Sequence, residues 1–441
     1  MTIYKSKLLI FIIGILFSGI AMAQDMLVKT DAVEIALENN YNIKIARNNV
    51  DLASNNASVF NSGYLPSLQG SAGVNYSSGS SRAEMQDGSV RETSSAQSTA
   101  YNSSLGLNYT LFDGLGRKYN YARQKEFYSI SELQMRRVIE LNILDIFRVY
   151  YDVARLTTNE INQNETLAIS RRRLDRARYG YDYGQNTQLD VLNAEVDYNN
   201  DSITFLTIIQ ELENAKRDLN VLLGRDVNTL FSVDTTIVYE KDITLDLLME
   251  EAMKNNVGIL LTKGNVQTAE YDININRSNM IPRLDASAQY VWNQRNNDAT
   301  NIFANQRNYG PQAGLSLSWN IFDGGLTKTR VQNAKITRDN ELITLEQNEQ
   351  ILERNVNNAW AFYQNSLFVL KAERKNLETN QNNFDRSVEQ YQLGQINSIT
   401  FRAAQLNFLN ANLNFNRAKY EAKIAELALL QLSGYLMYAN Y

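Results

Sequence analysis

The sequence contains no histidine and no cysteine, and only three prolines in 441 residues. Without these side chains, Ser-His-Asp triads, thiol nucleophiles and zinc sites are excluded, as are disulfide bonds and a lipid-modified cysteine. The carboxylates are scattered singly over polar helix faces, and no glycine-rich phosphate loop follows a predicted strand. We therefore expect a protein that is not an enzyme and that uses neither a cofactor nor a metal ion.

Long apolar runs are also scarce, and one is found only near the beginning. It extends from Leu8 to Phe17, follows Lys5 and Lys7, and ends near Ala21-Met22-Ala23. This order is typical of a secretory signal peptide over residues 1–23. No later segment has the roughly 18 apolar residues of a membrane-spanning helix. The net charge of −5 is small and negative, and the charged residues are scattered along the sequence. Both features argue against nucleic acid as a partner.

The sequence after the signal peptide is an internal duplication, predicted to comprise repeats over 24–224 and 225–441. Matching residues lie 216 positions apart before residue 67 and 210 positions apart after residue 111. The matched residues are Asn39-Asn40 with Asn255-Asn256, Pro66 with Pro282, Phe112-Asp113-Gly114 with Phe322-Asp323-Gly324, Tyr183-Gly184-Gln185 with Leu393-Gly394-Gln395, and Gly224 with Gly434. The change of offset means that the second repeat is six residues shorter between these two points. Because this difference falls in a Ser/Gly-rich stretch, that stretch is expected to be a surface loop.

Each repeat contains two segments in which apolar and polar residues alternate. This period of two predicts four strands, at about 65–77, 103–112, 283–292 and 312–322, each with one apolar face. A half-buried sheet in a soluble domain would show the same pattern. The segments, however, have the length of about 9–11 residues that a tilted membrane-spanning strand needs, and aromatic residues gather near their ends. We therefore favour a membrane β-barrel.

Four strands are too few to close such a barrel. Small barrels begin at about eight strands, and an open edge in lipid leaves backbone groups without hydrogen bonds. One chain must therefore associate with copies of itself. A dimer with eight strands and a trimer with twelve are both consistent with the sequence.

The rest of the sequence is predicted to be helical. Two long helices are expected from Leu115 to about Tyr179 and from Leu326 to about Tyr391, with return helices near 188–223 and 399–432. In the first long helix the apolar residues are spaced alternately by four and three positions, which indicates coiled-coil packing. The positions are Ile139, Ile143, Ile146, Tyr150 and Val153. Short turns separate each pair, and Thr187, Asp190 and Asn397 are placed to cap the return helices.

This organisation closely resembles the TolC-like outer-membrane efflux protein family, over nearly the whole sequence after the signal peptide. The most specific matches are the turn motifs, Arg178 to Gly184 followed by Leu189 to Glu195, and Tyr391 to Gly394 followed by Ala404-Gln405. The resemblance implies a mixed α and β membrane protein: a homotrimeric, 12-stranded antiparallel β-barrel with four strands per chain, continued by an α-helical coiled-coil tunnel. It also implies the outer membrane of a Gram-negative bacterium, with the tunnel in the periplasm.

The family's activity is passive conduction of substrates out of a tripartite efflux or type I secretion system. The resemblance therefore implies a periplasmic adaptor protein, and beyond it an inner-membrane pump, as partners besides membrane lipid. By the same resemblance, adaptor contacts lie at Tyr183-Gly184-Gln185 and Leu393-Gly394-Gln395, which we call the first and second tips. Asp190 and Tyr391 match gate positions, and Phe112-Asp113-Gly114 and Phe322-Asp323-Gly324 match the junctions between barrel and tunnel.

The second tip departs from the family pattern. Well-known members have an Arg and two Asp that tie and line the constriction, whereas this sequence has Ile396, Thr400 and Ala403. The alternative interpretation of the whole chain is an exported coiled-coil structural or adhesin-like protein without a pore. That protein would be extracted with soluble periplasmic proteins, whereas the barrel requires detergent.

Overall fold

The computed structural model describes residues 26–240, 243–297 and 303–436, so the predicted signal peptide lies outside the described residues. The chain divides into two compact units. The first unit takes in the residues up to 47, residues 135–259 and those from 349 onward, and the second takes in 48–134 and 260–348. Both halves of the duplicated sequence therefore contribute to each unit.

The elements follow the same order in both halves of the chain. The helices are α1 (Lys29–Asn39), α2 (Tyr41–Asn56), α3 (Gly116–Asp182), α4 (Gln188–Leu223), α5 (Leu245–Asn255), α6 (Val257–Ser278), α7 (Leu326–Gln392) and α8 (Ser398–Leu432). The strands are β1 (Met26–Leu27), β2 (Ser67–Glu84), β3 (Val90–Phe112), β4 (Ser232–Val233), β5 (Arg283–Asn297) and β6 (Asn305–Ser318). No helix among the described residues is both long enough and apolar enough to cross a membrane.

The second unit contains an antiparallel sheet in the order β2-β3-β5-β6. All four predicted strands are present, but several of the predicted boundaries were wrong. Strand β2 continues seven residues past the predicted end at 77, and β3 begins at Val90 rather than at 103. Strands β5 and β6 likewise extend farther into the hairpin that joins them, to Asn297 and back to Asn305.

The boundary errors have two physical causes. The added stretches, such as Ser77–Glu84, are rich in Ser, Thr, Asn and Gln and have no apolar face, so hydrophobic alternation cannot reveal them. Backbone pairing alone defines them as strand. The prediction of strand to residue 322 was wrong because Ser318 pairs with Arg283, the first residue of β5. Residues 319–322 have no strand beside them in this sheet.

The long helices agree closely with the predictions. Helices α3 and α7 each contain 67 residues without interruption, and α4 spans Gln188–Leu223 as predicted. The predicted α3 seam is confirmed in the first unit, where Ile143, Ile146, Tyr150 and Val153 are almost fully buried. Around it pack apolar side chains from other helices and from the loop before β4, among them Ala32, Val33, Leu219, Leu223, Phe231 and Leu427.

A pair of equivalent asparagines explains one of the sequence repeats. The side chain of Asn40 donates to the carbonyl of Leu222 at 2.7 Å and accepts from the backbone N–H of Asn42 at 2.8 Å. Asn256 does the same in the second half, donating to Leu432 O at 2.9 Å and accepting from Gly258 N at 2.9 Å. Each asparagine thus caps the start of one helix and joins it to the end of another, within the first unit.

Candidate functional site

The register of the sheet places the apolar residues of all four strands on one face. Leu107 of β3 lies opposite Leu68 of β2 and Ala288 of β5, and Ala288 lies opposite Ala313 of β6. Directly opposed residues of an antiparallel pair point to the same side. The prediction that the apolar residues of the four strands share one face is therefore confirmed. Much of this face is exposed in the single chain; Leu315, for example, is 72% exposed.

The opposite face of the sheet is polar and linked by side-chain hydrogen bonds. Ser71 and Ser104 share a hydrogen bond of 2.8 Å between their hydroxyls. Gln289 donates to Gln312 at 2.9 Å, and the Thr110 hydroxyl donates to Asp285 at 2.7 Å. Within the described residues β2 and β6 each pair on one side only, so the sheet has two open edges. One apolar face, one polar face and two open edges are what a section of an oligomeric barrel requires.

Each predicted junction is an Asp-Gly turn at the start of a long helix. The Asp113 carboxylate accepts from the backbone N–H of Arg117 at 2.9 Å and so caps α3. Asp323 accepts from Thr327 N, also at 2.9 Å, and caps α7. Both following glycines are left-handed, with φ +66° at Gly114 and φ +71° at Gly324. An added Cβ at Gly114 would lie 2.7 Å from the carbonyl oxygen of Ser278, so this position has no room for a side chain.

The first tip ends α3 in a Schellman motif. Gly184 has φ +72°, its N–H donates to Tyr181 O at 2.9 Å, and the N–H of Gln185 donates to Gly180 O at 2.7 Å. The neighbouring Tyr183 side chain is 81% exposed. Helix α4 then begins with the predicted capping box, in which the Thr187 side chain accepts from Asp190 N and the Asp190 side chain accepts from Thr187 N.

The second tip repeats this geometry. Gly394 has φ +73°, its N–H donates to Tyr391 O at 3.2 Å, and Gln395 N donates to Gln390 O at 2.9 Å. Asn397 caps α8 by accepting from Thr400 N, as predicted. An added Cβ at Gly184 or Gly394 would meet no atom within 4 Å. These two glycines are therefore favoured by the backbone angle of the turn and not by crowding.

The two predicted gate residues are both engaged within the chain. The Asp190 carboxylate accepts from the Thr187 hydroxyl at 2.7 Å, and this hydrogen bond lowers the pKa of Asp190. The Tyr391 ring stacks on Phe401, with 4.6 Å between ring centroids. The guanidinium of Arg176 lies over the Tyr391 ring, 4.6 Å from its centroid. The two gate residues are therefore held by different neighbours within this chain.

The divergent second-tip residues carry no charge, and their surroundings are ordinary. Ile396 packs against the aromatic cluster around Phe401, and the Thr400 hydroxyl donates to Asn397 at 3.0 Å. Ala403 is exposed. Within the described residues no group of three or more Asp or Glu side chains is arranged to hold a metal ion.

Sequence reasoning missed a buried polar network that joins three helices next to the tips. It links Ser170 and Arg173 of α3, Asp197 and Asp201 of α4, and Arg402 and Gln405 of α8. The Gln405 amide also donates to the carbonyl of Thr166 at 3.1 Å. One signal was available: Arg402, Gln405, Asn416 and Lys423 are polar residues at coiled-coil spacing among buried positions of α8.

The sheet and the paired helices define a class of protein, the outer-membrane channels in which a barrel is joined to long helices. The family model for outer membrane efflux proteins matches residues 32–225 and 248–435. The chain therefore belongs to the outer membrane efflux protein family, which confirms the resemblance seen in the sequence. It is an outer-membrane protein.

Individual relatives agree with this assignment. Outer membrane protein TolC of Escherichia coli (strain K12) is 21% identical, with 98% of this chain and 87% of the relative covered. The proteases secretion protein PrtF of Dickeya chrysanthemi is 24% identical, covering 75% and 71%. Among solved structures, the CmeC outer membrane channel of Campylobacter jejuni has the same fold, with a TM-score of 0.75 at 17% identity. That match covers 92% of this chain and 86% of the other.

Proposed function

We propose that this protein is the outer-membrane exit duct of a tripartite efflux or type I secretion system, through which substrates pass without chemical change. The observation that carries this proposal is the family match across both halves of the chain. The relatives are named for efflux and, in one case, for protease secretion. Both kinds of system need a passive conduit to the exterior.

The working unit is a homotrimer. Along the outer edges of β2 and β6, no strand from the described part of the chain pairs with their backbone groups. Such edges are not tolerated in lipid, because each unsatisfied group costs several kcal/mol. Pairing β6 of one copy with β2 of the next removes every edge when the ring closes. Three copies give twelve strands, with the Leu107 face toward lipid and the Asn108 face toward the lumen.

The long helices continue the conduit into the periplasm. Each 67-residue helix is long enough to reach about 100 Å at 1.5 Å per residue. Their far ends carry the two tips, where Tyr183 and Leu393 are 81% and 73% exposed. We assign the contact with a periplasmic adaptor to these turns, and through the adaptor a connection to an inner-membrane pump.

Site-specific photo-crosslinking in cells tests the assignment. A photoreactive residue at Tyr183 or Leu393 should capture one periplasmic protein, identified by mass spectrometry. A matched control at Lys375, whose side chain is 73% exposed on α7 away from the tips, should not capture it. Equal capture at all three positions, or capture at none, would contradict adaptor docking at the tips.

A further inference from the structure

A cleft of about 290 Å³ lies in the first unit, where α3 runs beside α7 and the start of α8. One wall consists of arginines and the other of aromatic and branched apolar side chains. The lining residues are Ile169, Arg172, Arg173, Arg176, Phe384, Val388, Tyr391, Gln392 and Phe401. Three of them are cations, and no carboxylate is among them.

Arg173 is buried at the base of the arginine wall and has hydrogen-bond donors without partners. Its side chain is 3% exposed, and one of its nitrogens, Nη2, pairs with Asp197. Its Nε and Nη1 are also buried, and neither has a hydrogen-bond partner among the described residues. A buried donor without an acceptor costs about 1–3 kcal/mol. Arg173 therefore adds a positive charge at the base of the cleft, while its two unpaired nitrogens are closed off from solvent.

Arg172 and Arg176 add two further positive charges to the arginine wall beside Arg173. They lie one helical turn apart on α3, and both are exposed. Neither forms an ion pair with an acid among the described residues, whereas Asp197 and Asp201 pair with Arg173 and Arg402. The cleft is therefore lined by three cations and by no carboxylate, and Arg172 and Arg176 can reach an anion that enters from solvent.

The opposite wall is suited to a flat apolar group. Tyr391 stacks on Phe401, and Phe384 lies 5.8 Å from Phe401 between ring centroids. Val388 and Ile169 complete this wall. Planar guanidinium groups bind carboxylates through paired hydrogen bonds, and aromatic side chains pack against other rings.

We propose that this cleft is a binding site for an aromatic carboxylate. The carboxylate accepts hydrogen bonds from the exposed Arg172 and Arg176 of α3, and the ring packs against the apolar wall that includes Ile169, Phe384 and Val388. Because α3 and α7 supply opposite walls, the bound molecule connects the two long helices just before their tips. Occupancy therefore opposes any movement that separates these helices.

The test is calorimetric titration of the purified protein in detergent micelles with 1-naphthoate, using empty micelles as the blank. We expect saturable binding that Arg172→Gln and Arg176→Gln each weaken by about fivefold, since each removes a charged hydrogen bond. Arg171→Gln is the matched control, because Arg171 is exposed on the same helix and does not line the cleft. It should change the affinity by less than about twofold.

A second titration separates charge recognition from simple partition of a ring. The neutral analogue 1-naphthalenemethanol should bind at least about tenfold more weakly than 1-naphthoate. The proposal is overturned if naphthoate does not saturate, or if the neutral analogue binds equally well. Equal weakening by Arg171→Gln would also overturn it, because the attraction would then be general to the basic helix.

Discussion

The guanidinium of Arg402 and the carboxylate of Asp201 form a two-pronged ion pair. Nη1 of Arg402 donates to Oδ2 of Asp201 at 2.8 Å, and Nη2 donates to Oδ1 at 2.7 Å. The two side chains are 11% and 6% exposed. The pair joins α8 to α4, and therefore joins the helices that follow the two tips. Although the divergent Ile396, Thr400 and Ala403 carry no charge, a buried charged connection between the two halves lies one residue away from Ala403.

Substituting one partner of this pair should destabilise the protein more than replacing both partners with apolar residues. Asp201→Asn leaves the buried Arg402 with only the more distant Asp197, 3.6 Å from its Nε, to balance its charge. Arg402→Met leaves the buried Asp201 carboxylate without a cation. Loss of one partner of a buried pair costs about 3–5 kcal/mol, whereas apolar replacement of both can be nearly neutral. We expect each single variant to expose the tips to limited proteolysis, and Arg402→Met with Asp201→Leu to restore part of the resistance. Additive losses in the double variant would show that the two side chains act independently.

The sheet faces give a second prediction. Leu107 and Asn108 are neighbours on β3 that point to opposite sides, toward lipid and lumen in the proposed barrel. An arginine at the bilayer midplane on the lipid side costs about 2–4 kcal/mol, whereas one in a water-filled lumen costs little. Leu107→Arg should therefore lower the yield of assembled protein in the outer membrane, and Asn108→Arg should not. Equal yields, measured by surface labelling, would contradict the assignment of the faces.

Local patterns in the sequence predicted these faces and most helix ends, and the reason is physical. Period-two alternation fixes which side of a strand Leu107 occupies, and Thr187, Asp190 and Gly224 terminate helices through hydrogen bonds to nearby backbone. The distal strand ends carry no such signal, since Ser77–Glu84 is polar on both faces. The position of Arg402 carried a signal, but its partner Asp201 could not be predicted, for a different reason. The two residues are distant in the sequence and are brought together only by helix packing.

A buried acid in the first unit should make stability depend on pH. Glu426 is fully buried, accepts from Lys423 at 2.6 Å and from Tyr363 at 3.2 Å, and burial raises its pKa above 4.5. The folded state therefore keeps this proton at a pH where the unfolded chain has lost it. Protonated Glu426 therefore stabilises the fold fully below the pKa that Glu426 has in the unfolded chain. This stabilisation is lost as pH rises through its pKa in the folded protein.

Glu426→Gln measures that contribution. Chemical unfolding of the wild type and the variant should be compared from about pH 4 to pH 7, where the advantage of the wild type should shrink as pH rises. A matched control is Glu421→Gln, an exposed acid on the same helix, which should leave the pH dependence unchanged. A wild-type advantage that grows with pH would mean that the Lys423 ion pair outweighs burial and that the pKa is lowered instead.

Substitutions at the tip glycines can show whether these residues only end a helix or also contact the adaptor. Gly394 ends α7 at φ +73°, an angle that glycine adopts freely, asparagine tolerates, and other residues adopt at a cost of about 1–2 kcal/mol. An added Cβ at this position would have no atom within 4 Å, so the fold itself has room for a side chain. We expect Gly394→Trp to abolish export while the protein still inserts as a heat-stable trimer, because the exposed tip is far along the chain from the strands.

Gly394→Asn separates the two roles, since asparagine keeps the turn and adds only a small side chain at the contact. If Gly394→Asn and Gly394→Trp both assemble and both lose export, the bare backbone at this turn is needed by the adaptor. If Gly394→Asn exports normally and Gly394→Trp fails to assemble, the glycine only ends the helix. The same pair of substitutions at Gly184, which has the same turn and φ +72°, should give the same result if both tips contact the adaptor. Trimer stability on gels, surface labelling and export of a fluorescent substrate by the same cells provide the three readouts.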